Sequence, residues 1–222
     1  MINDPMLQSR GAIFDLDGVI VDTARYHYLA WRRLASELGF EFSLADNERL
    51  KGVSRARSLE LLLEAGGLSL GVEKKAALAE KKNRWYVESL ARMDGSELLP
   101  GARDYLLAQR AAGRRVALGS ASKNAGMILQ RLGIAGLFDA VIDGTRVTNA
   151  KPDPEVFLLA ARELALAPAD CVVFEDAAAG VEAARRAGMR VVGIGDAAIL
   201  RDADLVVSGL DRLLPAASVP TA

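Results

Sequence analysis

Two carboxylates with one residue between them follow the first apolar run of the chain. Asp15 and Asp17 come directly after Ala12–Phe14, and a second acidic pair, Glu175 and Asp176, ends a later apolar run. Residues two apart in an extended strand point to the same side, so Asp15 and Asp17 can face one site. Carboxylates that converge repel one another, by about 4 kcal/mol for a pair about 4 Å apart at an effective dielectric constant of about 20. A divalent cation removes that repulsion and Mg²⁺ prefers oxygen ligands, so we predict a magnesium site.

Hydroxyl and ammonium groups follow other apolar runs. The segment 120–124 reads Ser-Ala-Ser-Lys-Asn and leads into a predicted helix, where backbone N–H groups favour an anion. Lys151 stands shortly before another predicted helix. A carboxylate nucleophile, a metal ion, a serine hydroxyl and a lysine ammonium around one phosphoryl group form a phosphoryl-transfer site. In such a site, positioning and charge neutralisation carry the catalysis.

Short apolar runs rich in branched residues predict the elements that position these groups. The predicted strands are Ala12–Phe14, Val116–Leu118, Ala140–Ile142, Cys171–Phe174, Val191–Ile194 and Leu205–Val207. The runs lack polar alternation, which indicates a sheet covered on both faces. Helical segments alternate with them, so we predict an α/β fold with a doubly wound, mostly parallel, Rossmann-like sheet. Ligands bind such sheets beyond the carboxyl ends of the strands, where the acidic and donor residues lie.

Helices are predicted between these strands. They run over residues 102–112, 124–132 and about 178–187, and each is followed by a glycine that can end a helix. A further helix is predicted to have Asp153 as its N-cap and Pro154 at its first position, with Phe157 and Ala160 on its apolar face.

One stretch interrupts the alternation of strands and helices. Residues 23–98 show helical periodicity and no convincing strand. A helical insertion directly after the first strand is best explained as a separate cap. We therefore predict a catalytic α/β core domain over residues 1–22 and 99–222 and an inserted α-helical cap domain over residues 23–98.

Composition limits the classes of partner. The chain has 222 residues, of which 51% are hydrophobic and 26% charged, with a net charge of -1. These values fit a globular protein and give no basic excess for nucleic acid or an anionic membrane, so we expect a small-molecule partner. One cysteine cannot form an internal disulfide, and the N-terminus has no apolar signal region. We expect a cytoplasmic monomer that binds neither nucleic acid nor membrane.

The acidic and donor residues resemble, in their order and spacing, the haloacid-dehalogenase superfamily of aspartyl phosphotransferases. The resemblance covers nearly the whole chain after about residue 10 and rests on Asp15–Val19, Ser120, Lys151 and the pair Glu175 and Asp176. Further segments are similar to the sugar-phosphate mutases of that superfamily: residues 22–23, 26–27, 50–55, 82–83 and 120–124.

The resemblance implies roles for the residues around the reacting phosphoryl group. Asp15 would be the nucleophile that becomes an aspartyl phosphate, and Asp17 would be the general acid and base. Mg²⁺ would be held by the Asp15 carboxylate, the Asp17 carbonyl and Asp176, with Glu175 close by. The residues that would hold the transferring phosphoryl group are Ser120, the Ala121 amide and Lys151.

The resemblance also implies a second anion site, because a mutase must hold the phosphate that does not react. Arg55, Ser122, Lys123 and Asn124 would hold that phosphate. The turn of Lys51 and Gly52 would touch the sugar, and His27 with Lys82 would couple cap closure to the position of Asp17. Thr23, Val53 and Ser54 complete the implied substrate-binding set.

The implied reaction converts β-glucose 1-phosphate into β-glucose 6-phosphate by way of β-glucose 1,6-bisphosphate. Closure of the cap would exclude water, so that a sugar hydroxyl and not water accepts the phosphoryl group. A sugar-phosphate phosphatase of the same superfamily is the nearest alternative, since Asp15, Asp17, Lys151 and Asp176 serve either reaction. A phosphorylatable signalling module is a second alternative, although such modules place the acidic pair on the first strand and the phosphoacceptor on a later one.

Overall fold

A single parallel sheet forms the centre of the fold. The structure is a computed structural model and describes residues 9–50 and 53–215. The strands are β1 (Gly11–Phe14), β2 (Arg115–Gly119), β3 (Ala140–Ile142), β4 (Cys171–Glu175), β5 (Arg190–Ile194) and β6 (Leu205–Val207). Neighbouring strands are parallel, in the order β3-β2-β1-β4-β5-β6. The predicted doubly wound sheet is confirmed, and each predicted strand agrees with the observed one to within one residue at each end.

The strand order reverses at β1, which creates a crevice at the carboxyl ends of β1 and β4. Phe14 of β1 is in register with Leu118 of β2 and Phe174 of β4. The backbone N–H of Asp15 continues the ladder by donating to the Phe174 carbonyl at 2.9 Å. Asp15 therefore emerges at the centre of the sheet edge, between the ends of β2 and β4.

Helices cover both faces of the sheet and fill the insertion. Those in the described residues are α1 (Ala24–Glu37), α2 (Leu44–Glu48), α3 (Arg55–Ala65), α4 (Val72–Leu90), α5 (Ala102–Ala111), α6 (Ala125–Arg131), α7 (Glu155–Glu163) and α8 (Ala178–Arg186). Among residues 9–50 and 53–215, no helix has the length and apolar character needed to cross a membrane.

The helix after β3 begins one residue later than predicted. Pro154 is the N-cap and Glu155 the first residue of α7, so the prediction of Asp153 as N-cap was wrong. The reason is that the Pro154 carbonyl accepts the first helical bonds, from the N–H groups of Phe157 and Leu158. Asp153 still acts at this helix start, because its Oδ1 accepts a hydrogen bond of 2.9 Å from the Glu155 N–H.

Alternate residues of β1 enter two separate apolar cores. Phe14 stacks on Phe174 with ring centroids 4.5 Å apart, and Tyr105 of α5 meets both rings edge-on. Ile13 points to the opposite face and packs with Phe157 of α7 in the second core. The sheet is thus buried on both sides, as its continuous apolar strands predict.

Helices α1 to α4 enclose a third core of their own. Trp31, Leu34, Leu59 and Leu62 are buried in it, and none of them belongs to the two cores beside the sheet. The described residues between 23 and 98 form no strand, as predicted. This grouping supports the predicted cap, whose status as a separate domain stays a prediction.

The insertion is joined to the sheet by two segments that run side by side. Val21 and Leu98 form an isolated antiparallel bridge, and the Leu99 N–H donates to the Ile20 carbonyl at 3.0 Å. The chain therefore leaves the core and returns to it at one place, directly beside the edge where Asp15 emerges.

Candidate active site

A buried lysine joins two carboxylates at the centre of the sheet edge. Lys151 Nζ lies 2.5 Å from Asp15 Oδ1 and 2.8 Å from Glu175 Oε2. Burial alone would lower the pKa of Lys151, but these two carboxylates raise it, so the lysine stays charged. The Lys151 ammonium holds Asp15 Oδ1 in place, and its positive charge offsets the negative charges of Asp15 and Glu175.

Glu175 is held from two sides. Its second oxygen, Oε1, accepts a hydrogen bond of 3.0 Å from the Ala177 N–H. Gly180 of α8 packs so closely that a Cβ there would lie 2.0 Å from the Glu175 carboxyl group. Both oxygens of Glu175 therefore have protein donors, and its carboxylate is part of a fixed frame around Asp15.

The predicted acidic cluster is present at this edge. Asp15, Glu175 and Asp176 each offer an oxygen within 4.8 Å of the others. Burial, together with Glu175, Asp15 and Asp17, raises the pKa of Asp176 to about 9. Charge repulsion of this kind is what a bound cation relieves, so the donor set fits a hard divalent metal. A Cβ on Gly18 would lie 2.0 Å from Asp176 Oδ2, so glycine is required beside that carboxylate.

Asp17 faces the cavity and is fixed by a neighbouring hydroxyl. Thr23 Oγ1 donates a short hydrogen bond to Asp17 Oδ1. Burial and the negative charge of Asp15 raise the pKa of Asp17 to about 7, although the Thr23 bond opposes the shift. A carboxyl group with that pKa can both release and accept a proton near neutral pH.

The segment after β2 is folded by its own serines. The Ser122 N–H donates to Ser120 Oγ at 3.1 Å, and the Asn124 N–H donates to Ser122 Oγ at 3.3 Å. Ser120 is buried, and the Ser120 N–H continues the sheet by donating to the Ile142 carbonyl. These bonds hold Ala121, Lys123 and the serines in a loop that lines the cavity.

A buried lysine and histidine lie in the wall that the insertion contributes. Lys82 Nζ is 2.7 Å from His27 Nδ1 and lies over the rings of Trp31 and Tyr86, at 4.4 and 4.8 Å. Burial and nearby Arg55 lower the pKa of Lys82 to about 7, and burial with the positive charge of Lys82 lowers the pKa of His27. A neutral His27 imidazole with its proton on Nε2 can accept at Nδ1.

The start of α3 brings Arg55 and Val53 to the cavity, whereas Ser54 caps the helix. Arg55 and Val53 line the cavity wall. Ser54 is the N-cap of α3, and its Oγ accepts from the Arg57 N–H at 3.3 Å. Its predicted contact with substrate stays a prediction. Lys51 and Gly52, predicted to touch the sugar, lie outside the described residues.

One cavity of about 350 Å³ brings the predicted residues of core and insertion together. The predicted residues that line it are Asp15, Asp17, Thr23, His27, Val53, Arg55, Lys82, Ser120, Ala121, Ser122, Lys123, Asn124 and Asp176. Lys151 lies behind Asp15 and is connected to the cavity by its hydrogen bond to Asp15. Glu175 is connected in turn by its hydrogen bond to Lys151.

Sequence reasoning missed several polar residues of this cavity. Asn47, Ser58 and Asn83 line it, and Asn83 Oδ1 accepts a hydrogen bond of 3.0 Å from Asn124 Nδ2. Asn47 is buried within the charged segment that includes α2, which carries no signal of a cavity. Asn83 belongs to the segment 82–83 that resembles the sugar-phosphate mutases of the superfamily, and that resemblance was the signal that could have identified it.

The fold and this site define a class of protein: a phosphoryl-transfer enzyme with a doubly wound sheet, an aspartate directly after β1 and an acidic cluster suited to a metal. Residues 10–188 match the family model of the haloacid dehalogenase-like hydrolases. The chain belongs to that family.

Relatives within the family include mutases and phosphatases. The chain is 44% identical over 200 residues to a β-phosphoglucomutase of Bacillus subtilis, a match that covers 89% of this chain and 88% of the relative. A crystal structure of β-phosphoglucomutase from Clostridium difficile superposes with a TM-score of 0.90 at 42% identity, covering 93% of each chain. A phosphatase of phosphorylated carbohydrates from Thermotoga maritima is 34% identical over 186 residues, covering 82% of this chain and 83% of the relative.

Proposed function

We propose that this protein is a β-phosphoglucomutase, which interconverts β-D-glucose 1-phosphate and β-D-glucose 6-phosphate through an aspartyl-phosphate enzyme and a 1,6-bisphosphate intermediate. The observation that carries the proposal is that two sets of anion-binding groups line one cavity. Ser120 and Ala121 line the cavity beside Asp15, with Lys151 behind Asp15, and Arg55 lies in the wall formed by the insertion. A hydrolase needs only the first set.

Asp15 is the nucleophile in this proposal. Lys151 binds its Oδ1, which leaves Oδ2 to attack the phosphorus of a bisphosphate while the bond from phosphorus to the sugar oxygen breaks. The products are aspartyl phosphate and a sugar monophosphate. Ser120, the Ala121 amide and Lys151 hold the oxygens of the transferring group, so that its charge is neutralised without movement of the protein.

Asp17 transfers the proton. When the sugar hydroxyl attacks the phosphoryl group on Asp15, its proton passes to the Asp17 carboxylate, and the same carboxyl group protonates the leaving oxygen in the reverse step. The pKa of about 7 supports this double role, since both forms are populated near neutral pH. The hydrogen bond from Thr23 aims the carboxyl group.

Mg²⁺ is the metal that we propose for the acidic cluster. The residues that would hold it are the carboxylates of Asp15 and Asp176 and the Asp17 carbonyl, with Glu175 close by and already bound to Lys151 and the Ala177 N–H. When bound, the ion neutralises charge on the transferring phosphoryl group and offsets the repulsion among the carboxylates.

The second anion site distinguishes a mutase from a phosphatase. Arg55, Ser122, Lys123 and Asn124 would hold the phosphate that does not react, and they line the same cavity as Asp15. The bisphosphate then turns end for end, and the two phosphates exchange places. Residues 23–98, the proposed cap domain, close over the sugar and exclude water, which favours transfer to a sugar hydroxyl.

A coupled assay tests the proposal. The protein is given Mg²⁺, β-glucose 1-phosphate and a trace of β-glucose 1,6-bisphosphate, and glucose 6-phosphate and inorganic phosphate are measured together. We expect glucose 6-phosphate to form faster, and Asp15→Asn to abolish both products. Dominant release of inorganic phosphate would make the protein a sugar-phosphate phosphatase, the second candidate that the relatives support. The proposal also places the enzyme in the cytoplasm. It further makes the enzyme a monomer, which light scattering of the purified protein checks.

A further inference from the structure

The cavity-lining arginine already has a carboxylate bound to it. Arg55 NH1 lies 2.8 Å from Glu80 Oε1, with Arg55 at the first position of α3 and Glu80 on α4. The Arg55 side chain is 18% exposed and that of Glu80 is 62% exposed. The guanidinium is therefore fixed in the cavity wall, whereas the carboxylate reaches it from the solvent side.

A carboxylate and a phosphate compete for a guanidinium because both match its planar fork of N–H donors. A phosphate that binds Arg55 must displace Glu80 or share the guanidinium with it. Sharing places two anions beside one cation, and displacement sends the Glu80 carboxylate into water, which its exposure permits. Either way, the Glu80 charge weakens the binding of the phosphate.

We propose that Glu80 is a positioning residue that occupies Arg55 whenever the non-reacting phosphate is absent and competes with that phosphate for the guanidinium. The inference rests on the proposed function, in which Arg55 holds the second phosphate. Such a competitor suits a mutase, because the bisphosphate intermediate must leave Arg55 in every cycle to turn end for end. A carboxylate that rebinds the arginine lowers the barrier to that step.

The fixed backbone of Arg55 determines the sign of the effect. Ser54 caps α3 by accepting from the Arg57 N–H, so the start of the helix keeps its place without Glu80. Removing the Glu80 charge therefore removes a competitor and leaves the phosphate site formed. Exposed ion pairs are weak, so the expected change in affinity is about two- to fivefold.

Glu80→Gln tests the inference, with Glu88→Gln as the matched control. Glu88 is exposed on the same helix, and the control removes the same charge away from Arg55. In an Asp15→Asn background, which cannot turn over, titration calorimetry with β-glucose 1,6-bisphosphate, which puts a phosphate at Arg55 in either orientation, should show binding tightened about two- to fivefold by Glu80→Gln and unchanged by Glu88→Gln. In the active enzyme, Glu80→Gln should lower both KM and kcat, because substrate binds more tightly and the intermediate leaves Arg55 more slowly.

The outcomes separate this inference from the proposed function. Unchanged or weaker binding by Glu80→Gln, or an equal effect of Glu88→Gln, overturns the role of Glu80 even if the protein isomerises the sugar phosphate. Tighter binding that is specific to Glu80→Gln supports that role, even where the coupled assay shows that inorganic phosphate is the main product and so overturns the mutase.

Discussion

The ionised form of Asp176 is destabilised in this site, and a bound cation would stabilise it. Its carboxyl group is close to Asp15 and Glu175, and Lys151 already binds both of those. Burial and the neighbouring carboxylates raise the pKa of Asp176 to about 9, and the positive charge of Lys151 offsets that shift only in part. Without a cation, the site thus holds a proton that the unfolded chain would release.

Replacement of Asp176 tests this balance. Its pKa is raised from 3.8 to about 9, so its contribution to the free energy of unfolding is complete below pH 3.8 and is lost as the pH rises towards 9. At a pH of about 8 with a chelator, we expect Asp176→Asn to melt at a higher temperature than the wild type. Mg²⁺ at about a hundred times its Kd should stabilise the wild type by about 2.7 kcal/mol and the variant hardly at all.

Differential scanning fluorimetry with and without Mg²⁺ makes this measurement. Glu41→Gln serves as the control, since Glu41 is exposed and lies outside the cavity. An Asp176→Asn variant that gains as much from Mg²⁺ as the wild type would contradict the assignment of Asp176 to the metal.

Lys82 supplies a second prediction, with the opposite sign. Its pKa falls from 10.5 to about 7 in the folded protein because its ammonium is buried near Arg55. Between those pH values the unfolded chain binds more protons than the folded protein, so the free energy of unfolding rises with pH. The destabilisation caused by the buried charge disappears near pH 10.5. Lys82→Met removes this destabilisation. We therefore expect the stability of the variant relative to the wild type to be greatest at a pH of about 7 and to decline towards a pH of about 10.

Urea unfolding at several pH values gives the comparison. Lys81→Met is the matched control, because Lys81 is the neighbouring lysine on α4, is 40% exposed and pairs with Glu37. A difference between Lys82→Met and the wild type that does not vary with pH would show that Lys82 is not a destabilised buried cation.

At the scale of elements, strands were predictable where burial leaves few choices. The runs around Ile13 and Val173 are apolar on both faces because both faces are covered, and that pattern is typical of a parallel sheet between layers of helices. The convergence of Asp15, Ser120, Lys151 and Asp176 then follows from the sheet, since parallel strands bring their carboxyl ends to one edge.

The insertion was less predictable because its helices alone do not reveal which face meets the core. Lys82 and Asn83 lie in a lysine-rich helix that resembles a solvated one, yet Lys82 is 2% exposed. The pairing of Arg55 with Glu80 depends likewise on how α3 crosses α4, which neither segment encodes by itself. Residue roles in this wall came from the family resemblance, whereas those at the sheet edge also followed from strand geometry.

A side-chain hydrogen bond joins helix α4 to the loop after β2, and its contribution to cap closure can be tested. Asn83 Oδ1 accepts from Asn124 Nδ2, and a hydrogen bond of this kind contributes about 1 kcal/mol. Asn83→Ala should weaken closure of the proposed cap, so that water reaches aspartyl phosphate more often. We expect the ratio of inorganic phosphate to glucose 6-phosphate to rise about fivefold, the factor that corresponds to about 1 kcal/mol.

The assay for both products measures that ratio. Ser89→Ala is the control, since the Ser89 hydroxyl donates to the Tyr86 carbonyl within α4 and so stays inside its own helix. If Asn83→Ala changes total rate but leaves the ratio of products unaltered, then the bond to Asn124 has no part in excluding water.

At the scale of the whole molecule, the separate core of α1 to α4 predicts separate stability. Leu62 is fully buried there, whereas Leu106 is fully buried in a core beside the sheet. Each Leu→Ala change should cost about 2–5 kcal/mol at its own site. Leu62→Ala should accelerate amide hydrogen exchange in α1, α3 and α4 and leave β1, β2 and β4 protected, while Leu106→Ala should expose the strands.

Hydrogen exchange followed by mass spectrometry resolves the two regions. Equal acceleration in the strands and in α1 to α4 after Leu62→Ala would mean that the molecule opens as one unit, and residues 23–98 would then not be a domain.

The paired segments at Val21 and Leu98 have a consequence for how such enzymes diversify. Because the chain departs and returns through neighbouring positions, residues 23–98 form a cassette that can be exchanged without re-threading the sheet. Grafting the corresponding stretch of a relative between these two anchors, with Thr23 kept so that Asp17 stays oriented, should alter which molecule is selected while the covalent chemistry at the sheet edge is inherited intact. Substrate selectivity and chemical reactivity can thus evolve independently, because different parts of the chain carry them.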